Sequence, residues 1–222
     1  MTASEMILRS SAVLLDFDGI VVNSEQRESI VWEFVLRKHG IRFPEPSGVA
    51  GRMDEVIARS LAVSEEEAAR LLKSKKEEFD RLYGDSHPPL VEGVKEFILA
   101  YHRIRVLGIT SNSSRERIIK ICSYYGLTHF FSVIVAARGS YEPKPSPQVY
   151  SKALEVLKVP SERVVAIEDS PPGFAAARFA GIRVVGLPTS LPKADIVDMA
   201  DAVADSFWQI MEDWDDPAIH GA

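Results

Sequence analysis

The sequence predicts an α/β protein: a doubly wound parallel sheet, interrupted after its first strand by a helical insertion. Three observations carry this. Five short apolar runs recur at 12–15 (AVLL), 104–109 (IRVLGI), 133–136 (VIVA), 164–167 (VVAI) and 182–187 (IRVVGL). They are rich in Val and Ile and mostly unalternating, as strands buried on both faces of a parallel sheet are. Helical segments with readable ends separate the later runs, and strand–helix alternation is the signature of a doubly wound fold. Between residues 20 and 90 the alternation stops, and two long helical patterns appear without a convincing strand.

Taken in order, the first run ends in Asp16, Asp18 and Gly19. Side chains on an extended chain alternate with a period of two, so the two carboxylates point the same way and repel unless a cation or proton lies between them. A helix is then expected from Asn23 to His39, with Ile30, Val31, Phe34 and Val35 as its apolar face, and another from Ser64 to Tyr83. Ser64 with Glu67 reads as a capping box and Gly84 as a stop. The stretch DSHPPLVEG, with two prolines and a glycine, reads as the return hinge. Ser113 with Glu116 predicts the start of the next helix, and Gly126 its end. Ser146 with Pro147, and Ser170 with Pro171, open two more, since proline at the first helical position sacrifices no hydrogen bond; Gly181 closes the second.

The bulk properties narrow the class. A 222-residue chain with 46% hydrophobic residues can bury a sizeable core, and a net charge of −6 with both signs interspersed argues against a nucleic-acid surface. The lone Cys122 excludes an internal disulfide and, beside Ile118, Ile119 and Ile121, reads as a buried thiol. No run of about 18 apolar residues predicts a membrane span, and MTASEMILRSS lacks the apolar core of a signal peptide. The expectation is a cytoplasmic protein with neither a membrane nor a nucleic-acid partner.

Ligands of open α/β sheets bind at the carboxyl ends of the strands. There the sequence places Asp16 and Asp18, then Thr110, Ser111 and Asn112, then Glu168, Asp169 and Ser170. Lys144 lies in EPKPSP, a loop stiffened by Pro143, Pro145 and Pro147. Each cluster alone is an ordinary strand end, turn or cap. Together they offer hard oxygen ligands for Mg²⁺ and donors for phosphate oxygens.

With these residues in place the chain resembles the haloacid dehalogenase superfamily, in the branch similar to β-phosphoglucomutase and small-molecule phosphatases. DFDGIVVNSE looks like its first motif, ITSNSS its second, KPSPQVY its third and IEDSPPGFAAARFAG its fourth. The resemblance runs from about Ala12 to Leu187. It implies a Rossmann-like core of residues 1–19 and 91–222 and a helical cap domain of residues 20–90. It also implies that Asp16 is the nucleophile and Asp18 the acid and base. Mg²⁺ would be held by Asp16, the Asp18 carbonyl, Asp169 and, through water, Glu168. Ser111, Asn112 and Lys144 would hold the phosphoryl group. GRMDE looks like a cap loop that dips into the site, making Arg52 a candidate substrate contact.

The expected function is a Mg²⁺-dependent phosphatase of a small phosphorylated metabolite, a sugar or polyol phosphate, working through an aspartyl phosphate. The alternatives are a β-phosphoglucomutase-like sugar-phosphate mutase and, from another class, a phospho-acceptor receiver module. A receiver gathers its acidic residues from different strands and lacks so large an insertion. Asn23 departs from an Asp frequent in the first motif. Glu28 stands where the mutases commonly carry a histidine; ionised, it cannot donate a proton and would repel a phosphorylated ligand, which favours water as the acceptor.

Overall fold

The computed structural model describes residues 1–42, 54–84 and 86–212. Its sheet contains β1 (Ala12–Leu15), β2 (Val106–Ser111), β3 (Phe131–Ala136), β4 (Val164–Glu168), β5 (Arg183–Gly186) and β6 (Ala202–Val203). All pair in parallel, in the order β3-β2-β1-β4-β5-β6. The helices are α1 (Ala3–Leu8), α2 (Glu25–Lys38), α3 (Asp54–Leu61), α4 (Glu65–Tyr83), α5 (Val94–Tyr101), α6 (Arg115–Tyr124), α7 (Gln148–Leu157), α8 (Pro171–Phe179), α9 (Lys193–Ile196) and α10 (Phe207–Met211). This is the Rossmann-like doubly wound fold read from the sequence.

The two sheet faces explain the unalternating runs. Val13, Leu15, Val165, Ile167 and Val185 enter one apolar cluster with α5, α6 and α10. Their neighbours Ala12, Leu14, Val164, Ala166 and Val184 enter the other, with α7 and α8. β1, β4 and β5 are thus covered on both sides, and their apolar character cannot alternate. β1 lies at the centre, between β2 and β4, so its carboxyl end opens where the strand order reverses.

α2, α3 and α4 lie between β1 and β2 and share their own cluster of Val31, Trp32, Val35, Leu36, Ile57, Ala58, Ala68 and Leu71. The segments entering and leaving this insertion run side by side. Val22 bridges Leu90, Asn23 N–H donates to the Pro89 carbonyl at 2.8 Å, and Val91 N–H to the Val21 carbonyl at 3.1 Å.

Several local expectations change. α2 starts at Glu25, not Asn23, behind Ser24. Its buried face is Val31, Trp32, Val35 and Leu36, whereas Ile30 and Phe34 are exposed; the large indole sets the helix rotation. α6 is capped by Ser114, which accepts from Arg117 N–H, and not by Ser113. α1, closed by a reciprocal Thr2–Glu5 box, and the short α3, α5, α9, α10 and β6 were not anticipated. Cys122 is buried, and burial pushes its thiol up to about 12, so it stays a neutral packing group. Among the described residues no helix is long and apolar enough to cross a membrane.

Candidate active site

Asp16 follows the last residue of β1 and is tied to its neighbour strand, donating its N–H to the Ile167 carbonyl at 3.0 Å. That places its carboxylate beside those of Glu168 and Asp169 at the end of β4. All three are buried, and one oxygen from each lies within 4.8 Å of the others. Lys144 enters from the third-motif loop and gives all its ammonium protons here: to Asp16 Oδ1 at 2.6 Å, Glu168 Oε1 at 2.6 Å and the Thr110 carbonyl at 2.9 Å. Tyr150 O–H adds a bond to Glu168 Oε1 at 2.6 Å. Burial raises the Asp16 carboxyl, Lys144 opposes it, and the nearby Glu168 and Asp18 reinforce it, leaving it pushed up to about 7.

The expected clash between Asp16 and Asp18 is resolved by separate cations. Asp18 turns to Arg117, whose Nη1 lies 2.8 and 2.9 Å from its two oxygens. Ser24 O–H donates to Asp18 Oδ1 at 2.5 Å and Ser113 O–H to Oδ2 at 2.6 Å. Burial works to raise this carboxyl, but the Arg117 charge and the hydrogen bonds from Ser113, Ser24 and Arg117 outweigh it and hold it low. The two serines therefore serve Asp18 instead of capping helices. Ser111 Oγ accepts from Ser113 N–H at 3.0 Å, and Asn112 Oδ1 from Lys144 N–H at 2.7 Å, which ties the lysine loop to β2.

Gly19 is required by position. Its φ is +87°, and a Cβ there would lie 1.7 Å from Asp169 Oδ2. Ser190 and Thr189 hydroxyls donate to that same oxygen.

The acidic cluster fits a hard divalent cation. It contains oxygen donors only, Lys144 brings one positive charge to three carboxylates, and Glu168 Oε2 is buried with no hydrogen-bond partner. The Asp16 carboxyl, pushed up to about 7, also needs a further positive charge to be fully ionised at neutral pH.

Asp16, Asp18, Ser111, Asn112 and Lys144 line one cavity of about 260 Å³, whose other wall the insertion supplies with Glu28, Ser29, Trp32, Asp54, Ile57, Lys75 and Phe79. Glu28 is not a bare anion there. Its Oε2 lies 2.5 Å from Lys75 Nζ, which also donates to Asp54 Oδ2 at 2.8 Å; Trp32 Nε1–H donates to Asp54 Oδ1 at 3.1 Å. Arg52 lies outside the described residues. Arg117, Ser24, Ser113, Tyr150 and Lys75 were missed from sequence. Only Arg117 carried a signal, standing in the first turn of the helix that follows the ITSNSS stretch and so near its polar cluster.

The haloacid dehalogenase-like hydrolase family model matches residues 13–187, from the first buried strand to the end of β5 and the residue after it. The chain belongs to this family. It is 28% identical over 193 residues to the validoxylamine A 7'-phosphate phosphatase of Streptomyces hygroscopicus subsp. limoneus, covering 83% of this chain and 91% of that one. It is 30% identical over 203 residues to the phosphorylated carbohydrates phosphatase of Thermotoga maritima, covering 87% and 92%. Among solved structures, a CbbY variant from Rhodobacter sphaeroides in complex with xylulose-(1,5)bisphosphate superposes with a TM-score of 0.70 at 25% identity, over 89% of this chain and 95% of the other.

Proposed function

We propose that this haloacid dehalogenase-like hydrolase is a Mg²⁺-dependent phosphatase that cleaves a small sugar or polyol phosphate through an aspartyl phosphate on Asp16. The observation that carries the reading is the placement of Asp16 both in the three-carboxylate cluster and in the cavity shared with Ser111 and Lys144. The phosphatase relatives, one named for validoxylamine A 7'-phosphate and one for phosphorylated carbohydrates, support it. Residues 20–90 act as the cap.

Asp16, Glu168 and Asp169 would hold Mg²⁺, with the Asp18 carbonyl as a further donor; when bound, the ion offsets charge on the phosphoryl oxygens and keeps Asp16 ionised. Asp16 attacks phosphorus as the ester P–O bond breaks, and the leaving oxygen takes a proton from Asp18. Asp18 then accepts a proton from water, whose oxygen bonds to phosphorus as the bond to Asp16 breaks. Ser111 and Lys144 orient the phosphoryl group, and positioning plus charge neutralisation carry most of the acceleration. In the clasp of Arg117, Ser24 and Ser113, Asp18 is ionised, so delivering a proton requires it to leave that clasp. Ser24 immediately precedes α2 of the cap, which links this release to cap position.

Three experiments test the reading. Purified protein should hydrolyse an aryl phosphate with Mg²⁺ and lose that activity in EDTA. Mg²⁺ binding followed by calorimetry should weaken as pH falls below about 7, approaching tenfold per pH unit, because the ion must displace a proton from Asp16. Binding that is independent of pH between 5 and 8 would show that the ion displaces no proton from Asp16. Hydrolysis is separated from mutase chemistry by supplying a hexose 1-phosphate with a trace of bisphosphate. Inorganic phosphate should form faster than hexose 6-phosphate, and the reverse order would establish the mutase.

A further inference from the structure

Resting on the Mg²⁺-dependent reading, we infer that Tyr150 is a positioning residue for the ion: its hydroxyl fixes the Glu168 carboxylate in the cluster and keeps it fixed when Lys144 turns to the phosphoryl group. Tyr150 lies in the first turn of α7, six residues after Lys144 in the same motif. Its ring is fully buried in the apolar cluster that includes Leu14, Val135, Val149 and Ala153. A phenylalanine would fill that space equally well, and a hydroxyl buried there is costly unless it is bonded. The bond it makes is to Glu168 Oε1, at 2.6 Å. Burial and the Glu168 charge push the phenol well above its ordinary value, so it keeps its proton and remains a donor.

Glu168 is held from two sides. Its Oε1 accepts from Tyr150 and from Lys144 Nζ, each at 2.6 Å. Its Oε2 lies against Gly173 in the first turn of α8, so closely that a Cβ there would be 2.0 Å away. A side chain at residue 173 would therefore strike the carboxylate that joins Asp16 and Asp169 in the cluster.

Lys144 cannot hold Glu168 throughout the reaction. Its ammonium protons are engaged on Asp16 Oδ1, Glu168 Oε1 and the Thr110 carbonyl, so contact with a phosphoryl oxygen requires one of these bonds to be released. When the released bond is the one to Glu168, Tyr150 still occupies Oε1 and the carboxylate keeps its orientation. Groups that orient metal-binding side chains from behind typically account for roughly 10–100-fold in metal affinity.

The test is a calorimetric Mg²⁺ titration of wild type, Tyr150→Phe, Glu168→Ala and the double variant, each verified as folded by circular dichroism and a thermal melt. Tyr150→Phe removes one oxygen and leaves the ring in place, and its Kd should rise by roughly 10–100-fold. If the tyrosine acts through Glu168, the two substitutions are not additive: added to Glu168→Ala, Tyr150→Phe should change Kd by less than about 2-fold. At saturating Mg²⁺ the Tyr150→Phe enzyme should recover most of the wild-type kcat on an aryl phosphate, because its defect lies in holding the ion. A Kd for Tyr150→Phe within about 2-fold of wild type overturns the inference and leaves the phosphatase standing. An equal loss in both backgrounds also overturns it, since the tyrosine would then act by packing and not through Glu168. Absence of Mg²⁺ binding by wild type overturns the metal-dependent reading and this inference with it. Where Glu168→Ala does not fold or binds too weakly to measure, kcat of Tyr150→Phe decides: recovery at saturating Mg²⁺ supports the role, and a persistent loss overturns it.

Discussion

Asp16→Asn is expected to lower kcat/KM by at least ~10³-fold for every phosphate ester, good and poor leaving groups alike. The substitution keeps the shape of the side chain, and its amide oxygen can still accept from Lys144 at the position Oδ1 holds 2.6 Å away. What disappears is the anionic oxygen proposed to bond to phosphorus, together with one of the three carboxylates within 4.8 Å of one another. Because the fold around Asp16 rests on the apolar contacts of β1 and not on this charge, the melting transition should persist. Mass spectrometry of wild-type protein quenched during turnover should find phosphate on the peptide containing Asp16, and none in the variant. Near-normal turnover by Asp16→Asn would sink covalent catalysis at this residue.

The parts of the molecule that were legible in the sequence are those where one physical constraint acts alone. AVLL at 12–15 cannot alternate because Val13 and Leu15 face one core and Ala12 and Leu14 the other, so its apolarity announced a central parallel strand. Polar residues just beyond such strands have little choice of location, and Asp16, Ser111, Glu168 and Asp169 met as expected. Where two constraints competed, the sequence was ambiguous. Ser113 and Ser114 are equally good caps by composition, and only the approach of Asp18 assigns Ser114 to the helix and Ser113 to the carboxylate. In α2, Ile30 and Phe34 fit a helical stripe as well as Trp32 and Leu36 do. The choice is made by packing on α3 and α4, which no local pattern contains. Long-range ion pairs were invisible for the same reason. Lys75 is 47 residues from Glu28 along the chain yet lies 2.5 Å from it, so Glu28 read as a bare anion when it is half of a pair. Thr2 and Glu5 have the spacing of a capping box, but the helix they close has only six residues, too short for an apolar periodicity to announce it.

Asp18→Asn should reduce turnover of a sugar phosphate by roughly 10² to 10⁴, the usual worth of a positioned acid and base. Its signature should differ from that of Asp16→Asn in the dependence on leaving group. An alkoxide leaving from a sugar needs a proton, whereas a nitrophenolate does not, so formation of the aspartyl phosphate from an aryl ester should survive the substitution. The second half-reaction still lacks a base to activate water. The variant should therefore release one equivalent of nitrophenolate in a rapid burst and then stall with phosphate on Asp16. Mg²⁺ affinity should change little, since Asp18 would contribute its backbone carbonyl, which the substitution preserves. The Asn side chain keeps one acceptor oxygen, enough for Ser24 and one Arg117 contact, but its amide nitrogen donates and cannot accept from Ser113 or from the second Arg117 contact, and the ionic component of the 2.8 and 2.9 Å contacts is lost. Arg117 is about a third exposed and can turn to solvent, so the loss should cost about 1–3 kcal/mol of stability. Absence of the burst, with slow steady turnover of aryl and sugar esters alike, would place the proton-transfer role on another residue. A large fall in Mg²⁺ affinity would instead make the Asp18 carboxylate a metal ligand.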